Sequence, residues 1–207
     1  MQVHVAVRKS ALPLRLSYDS GRRLSDAEYW GFCQANPDLR VERSAEGDII
    51  IVPPASGESS NRNLSVSAPL GVWAEIDRRG KAFDSSVQFM LPDGSALSPE
   101  AAWVSKKSLK TLTREQHRQF LRLAPEFIVE VRSPSDRLKP ALEKMEQWIA
   151  NGVQLAWFVD ADAETVYVYR QGRPMEKMRG VAEIAGEGPV KGFVLKLRPI
   201  WEGLGRI

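Results

Sequence analysis

One segment constrains this 207-residue chain more than any other: Glu126-Phe127-Ile128-Val129-Glu130-Val131-Arg132. It is short, rich in strand-favouring residues and broken at once by Ser133-Pro134, so it reads as a strand over 126–132. A helical pattern follows over 138–151, with Gly152 placed to end it. A second apolar run at 154–159 reads as another strand. Strand, helix and strand in that order make a β-α-β unit, whose right-handed crossover sets the two strands parallel. The expected fold class is therefore α/β, a mixed β-sheet core flanked by helices.

The rest of the chain fills in around that unit. Residues 1–20 read as an N-terminal arm, strand-like at 12–16, ahead of a single domain over 21–207. Ser25 and Glu28 form a capping-box pattern, which predicts a helix to about Ala35, stopped by Asn36-Pro37. Runs at 39–43 and 48–52 form a hairpin turning at 45–48. A longer helix is expected over about 60–78. Leu64, Ala68, Val72 and Ile76, spaced four apart, form its apolar stripe, and Pro69 should kink or divide it. Three strands follow at 81–84, 87–91 and 97–104, the last two separated by the Pro92-Asp93-Gly94-Ser95 turn. A short helix is predicted from Thr113 to about Leu121. Strands at 165–170 and 193–197 complete the pattern.

Composition narrows the chemistry. There is one cysteine, Cys33, and two histidines, His4 and His117. A disulfide framework, a multi-cysteine zinc site and a histidine cage are all excluded within one chain. Any metal must be held mostly by carboxylates, which selects hard ions such as magnesium or manganese. Lys plus Arg is 29 and Asp plus Glu is 26, a net charge of +3. That favours a local nucleic-acid patch over general coating of a polyanion. No segment has the length of a membrane span and the start lacks the pattern of a secretory leader, so the chain reads as cytoplasmic.

Two carboxylates stand out. In the strand at 126–132, Phe127, Val129 and Val131 share one face, and Glu126, Ile128, Glu130 and Arg132 share the other. A carboxylate in a buried central strand is costly unless it is paired or binds a metal. Glu130 is thus a candidate ligand, with an ion pair to Arg132 or an exposed face as the plainer readings. Glu100 is the single charge in the 97–104 run, where it shares a face with Ser98, Ala102 and Val104. Two carboxylates on two strands of one sheet can converge on a divalent cation. Lys144 falls at the rim of the apolar face of the 138–151 helix, where it either snorkels to solvent or leans over the sheet toward those carboxylates. Ser135 or Asp136 reads as the cap of that helix. Trp103, Trp148, Trp157 and Trp201 read as packing residues, and Asp160 as a turn residue or an outlying part of the site.

Several of these segments resemble the Uma2 family, whose members carry a PD-(D/E)xK nuclease core. They are Gly57-Glu58 with Asn61-Arg62-Asn63, then Ser98-Pro99-Glu100-Ala101-Ala102-Trp103-Val104, and Phe127 through Ser135. Lys144, Asn151-Gly152-Val153 and Ala156 through Asp160 complete the set. The similarity runs from about Leu24 to Trp201. It implies a restriction-endonuclease-like fold and a magnesium-dependent endonuclease, with manganese as an alternative ion, acting on DNA phosphodiester bonds. On that resemblance Glu100 and Glu130 are the metal-holding acids and Glu42 completes the site. Glu100 stands where an aspartate is usual, one methylene shorter. Arg132 occupies the usual lysine place of the ExK motif. It stays protonated, so it serves as a charge and not as a base. Lys144 matches a lysine of the following helix and can replace the missing one. Arg62, Arg78, Arg79, Lys106 and Lys107 are candidate contacts to backbone phosphates, and the core implies a homodimer because two strands need two sites. The second reading is a member that has kept the fold without catalysis, as a DNA-binding or protein-interaction module.

Overall fold

The chain builds one sheet from its first half, a larger one from strands between residues 80 and 179, and a two-stranded ribbon near its end. A computed structural model describes residues 14–17, 23–134 and 136–205. The first elements are β1 (Leu14–Leu16), α1 (Asp26–Ala35), β2 (Arg40–Arg43) and β3 (Ile49–Val52). The capping box on α1 forms as read: the Ser25 hydroxyl accepts from the Glu28 amide, and the Glu28 carboxylate accepts from the Ser25 amide. β2 and β3 pair antiparallel, with Arg40 opposite Val52 and Arg43 opposite Ile49. Gly47 turns this hairpin at φ +96°, a conformation that favours glycine. Within the expected arm, β1 is a strand that pairs with β3 and so belongs to the sheet. Residues 1–13 and 18–20 of the arm, and Ser135, lie outside the described residues.

Helix α2 (Gly57–Asp77) runs unbroken through Pro69. A proline inside a helix costs about 3 kcal/mol, and burying several aliphatic side chains on the sheet exceeds that. The expected stripe is not the face that does the burying. Leu64, Val72 and Ile76 are 61%, 65% and 77% exposed, and Ala68 is exposed with them. The inward row is Arg62, Val66, Leu70 and Ala74. It has the same four-residue spacing, shifted by two residues and therefore by roughly 200° around the helix.

Next come β4 (Gly80–Asp84), β5 (Phe89–Met90), β6 (Ala96–Leu97), β7 (Ala101–Ser105) and the short α3 (Lys106–Leu109). The run at 97–104, expected as one strand, is two. β6 ends in the first sheet, whose order is β1-β3-β2-β6-β5. β7 then begins in the larger sheet. Ser98-Pro99-Glu100 makes the crossing, and Pro99 has no N–H to offer a ladder. Glu100 is therefore on a connection and not on a strand face. The predicted helix at 113–121 shrinks to one 3-10 turn, Gln116–Arg118.

The β-α-β unit is β8 (Phe127–Val131), α4 (Leu138–Ala150) and β9 (Leu155–Asp160). Its strands are parallel, with Phe127 opposite Leu155 and Val131 opposite Val159. β10 (Thr165–Arg170), β11 (Glu176–Arg179), β12 (Glu183–Ala185), β13 (Val194–Lys196) and α5 (Arg198–Glu202) follow. The short β11, β12 and α5 carry too little apolar pattern to be read from the chain. The larger sheet, ordered β11-β10-β9-β8-β7-β4, is covered on both faces. Phe127, Val129 and Val131 pack with Val66, Leu70 and Ala74 of α2. Ile128, Ala156 and Phe158 pack with Met145 and Trp148 of α4. Trp103, Trp148 and Trp157 are buried, as packing residues should be. Asp136 does not cap α4: its carboxylate accepts from the Ser133 amide, and the capping position is Arg137, without a side-chain bond. Among the described residues no helix is long and apolar enough to cross a membrane.

The two rows of α2 give a direct test. Leu70→Ala should lower unfolding stability by about 3 kcal/mol, whereas Ile76→Ala should change it by less than about 0.5 kcal/mol. Urea midpoints measure both, and equal losses would mean the helix packs by the other face.

Candidate active site

Five elements meet where the two sheets adjoin. β8 sends Glu130 to the α4 side of the larger sheet, as strand alternation requires, and leaves it 9% exposed. Two groups one turn apart on α4 converge on one of its oxygens. Trp148 Nε1 donates to Glu130 Oε1 at 3.0 Å, and Lys144 Nζ lies 3.0 Å from the same oxygen. Lys144 thus takes the inward course. Its ammonium also lies 3.1 Å from Glu42 Oε1, so it bridges a strand of each sheet.

Glu42 stands on β2 and also accepts from the Ser98 amide at 3.0 Å, which anchors the start of the crossing. At the end of that crossing, Glu100 Oε2 accepts from Asn63 Nδ2 of α2 at 2.5 Å. The structure therefore brings Glu42, Glu100, Glu130 and Lys144 into one neighbourhood and adds Asn63 and Trp148 to it. Asn63 falls within the segments that carry the resemblance, but its role depends on the angle at which α2 crosses the sheet.

Arg132 does not join them. Its Nη1 lies 2.9 Å from Asp160 Oδ2, and its Nε and Nη2 donate to the Asp136 carbonyl at 3.3 and 3.1 Å. The strand ends at Val131, so alternation no longer directs the next side chain. Asp160 is 1% exposed and needs a cation beside it. The Glu130–Arg132 pair considered from the sequence is replaced by Glu130–Lys144 and Arg132–Asp160. Arg62 is likewise committed: it is buried and pairs with Glu58 at 2.9 Å and Asp162 at 3.2 Å, so it is no surface contact for phosphate. Arg79 pairs with Asp77 at 2.7 Å. Arg78, Lys106 and Lys107 are exposed.

The electrostatics follow from crowding. Burial pushes the Glu100 carboxyl up to about 7, and the Glu130 and Glu42 charges add to this against the opposing pull of Arg40 and Lys144. Burial also raises Glu130, opposed chiefly by Lys144. For Lys144, burial works against the charged form, but the two carboxylates outweigh it and hold the ammonium above its ordinary value. Three carboxylates thus share an environment poor in compensating charge, and all their donors are hard oxygens. Among the described residues no group of three or more Asp, Glu, His or Cys side chains is gathered as a metal cage. Magnesium asks for less, since one or two carboxylates together with water and phosphate oxygens satisfy it. The Glu100 and Glu130 pair fits that ion, or manganese, in donor chemistry.

The Glu100 proton gives the metal-free protein a pH signature. Its carboxyl ordinarily titrates at 4.5 and here at about 7. The stability it contributes is complete below the lower value and lost as pH rises through the upper one. Glu100→Gln removes that loss, so at pH 8 without divalent metal the variant should exceed the wild type by on the order of 2 kcal/mol. The gap should shrink toward pH 5. Denaturant unfolding at both pH values measures it, and a gap independent of pH would refute the assignment.

A family model described as "Uma2: Putative restriction endonuclease" matches residues 26–198. Among solved structures, the fold is similar to that of "a putative nuclease belonging to DUF820 from Anabaena variabilis", with a TM-score of 0.66. The two sequences are 18% identical, and the likeness covers 79% of this chain and 90% of that one. No curated protein matches the chain. At 18% identity the structural likeness speaks for the fold, while the family match spans most of the sequence. This chain belongs to the Uma2 family, and its fold is that of a solved structure described as "a putative nuclease".

Proposed function

We propose that the protein is a metal-dependent endonuclease that hydrolyses DNA phosphodiester bonds with Glu42, Glu100, Glu130 and Lys144. The observation that carries this is the Lys144 ammonium held at 3.0 Å from Glu130 and 3.1 Å from Glu42, beside a Glu100 carboxyl raised to about 7. That is a carboxylate cluster with a fixed cation, the pairing that phosphoryl chemistry uses. Magnesium or manganese held by Glu100 and Glu130 would polarise the scissile phosphate and lower the pKa of a bound water.

The chain's own groups then have distinct tasks. Lys144 keeps its proton, so it acts as a charge on the phosphate oxygens or orients water, and not as a base. Trp148 and Lys144 hold one oxygen of Glu130 and leave the other available. Asn63 fixes the longer Glu100 side chain, and Glu100 must give up its proton before it can bind a cation. Lys144 supplies from the helix the cation that the strand motif usually supplies, because Arg132 is bound to Asp160. Cutting both strands of a duplex takes two such sites and hence two copies of the chain.

The engagement of Arg132 also favours a second reading, a member that binds DNA without cutting it. Supercoiled plasmid separates the two. The wild type should nick or linearise it with magnesium or manganese and be silenced by a chelator. Glu130→Gln and Lys144→Ala should each cut at least about 100-fold more slowly while keeping a native circular-dichroism spectrum. DNA binding with no cleavage under either ion supports the non-cutting module instead.

A further inference from the structure

Arg40 is a second cation beside the carboxylates, and the reaction outlined above gives it no task. It precedes Glu42 by two residues on β2, so the two side chains leave the same face of that strand. Both are half-buried, while Val41 and Arg43 on the opposite face are buried. From that face Glu42 reaches Lys144 and the Ser98 amide. Among the described residues the Arg40 guanidinium reaches only the Ser85 carbonyl, through a long contact of 3.4 Å. Its charge is nonetheless felt at Glu100.

Four neighbouring cations are committed. Arg43 is 2.6 Å from Asp26, Arg62 is bound to Glu58 and Asp162, Arg132 to Asp160, and Lys144 to Glu42 and Glu130. Arg40 forms no ion pair with a carboxylate among the described residues. Of its five donors, one makes a weak bond among the described residues.

Ser85 lies in the turn between β4 and β5, so its carbonyl offers the guanidinium a neutral partner and leaves the charge of Arg40 uncompensated among the described residues.

We propose that Arg40 is a phosphate-binding residue of this site, its guanidinium taking the non-bridging oxygens of a nucleic-acid backbone phosphate that approaches the carboxylates along the face of β2 shared with Glu42. This rests on the nuclease reading. A phosphodiester approaching three carboxylates is repelled unless an uncommitted cation receives it. A guanidinium does so with two parallel hydrogen bonds, which an ammonium cannot reproduce.

The test is binding of a fluorescent duplex oligonucleotide over a salt series, without divalent metal so that nothing is cut. Arg40→Ala should bind about tenfold more weakly, and its log–log salt slope should fall by about one. Arg40→Lys should restore the slope and only part of the affinity. Thermal melting of both variants checks that the fold is kept. Unchanged affinity and slope in Arg40→Ala overturns the role of Arg40 and leaves the nuclease reading standing. Lost affinity with an unchanged slope also overturns it, since a structural defect gives that result. A wild type that binds no duplex under these conditions overturns the role of Arg40, while plasmid cleavage with magnesium or manganese decides the nuclease reading separately.

Discussion

The Lys144 ammonium between Glu130 and Glu42 is the interaction on which the rest of the site depends. Glu130 lies on the central strand of the larger sheet and Glu42 on a strand of the smaller one, so one side chain joins the two. Glu130 alone would be a poorly compensated charge in a buried position, at a cost of several kcal/mol, and the half-buried Glu42 would add to it. With Lys144 between them both are held in place. The same helix grips the smaller sheet a second time: Asn151 and Gln147 donate to Asp93 in the β5–β6 turn at 2.8 and 2.9 Å. α4 is therefore the clamp that sets the distance between the sheets and, with it, the spacing of the acids.

This arrangement leaves the site short of positive charge. One ammonium serves two carboxylates, and Glu100 beside them answers by holding its proton up to about pH 7. A site so arranged favours the arrival of a further cation and penalises the arrival of an anion. That is why the disposition of the arginines matters. Arg132 and Arg62 neutralise acids outside the cluster, and Arg40 alone of those named beside it remains without a carboxylate partner among the described residues.

Much of the fold was legible because strong local signals agreed with it. The β8-α4-β9 unit has unambiguous periodicity, and its parallel pairing appears as read. The capping box of α1 and the hairpin turn at Gly47 are written in short-range chemistry that tertiary contacts do not override. Two elements misled for definite reasons. α2 carries two rows of equal spacing, and periodicity does not tell which one meets the sheet. Leu97 through Val104 alternates well enough to pass for one strand, so the change of sheet at Ser98-Pro99-Glu100 left no backbone mark except Pro99.

The residues by themselves determined the class of chemistry: with one cysteine and two histidines, any metal falls to carboxylates. They also placed Glu130 on a buried strand and Lys144 at the rim of the next helix, close enough to meet. The tertiary structure decided which charges pair. Glu130 takes Lys144 and not Arg132, because the buried Asp160 lies across the end of the strand. Glu100 takes Asn63, because α2 passes over the crossing between sheets. Ion pairs form between groups distant in sequence, and only the packing of helices on sheets sets those distances.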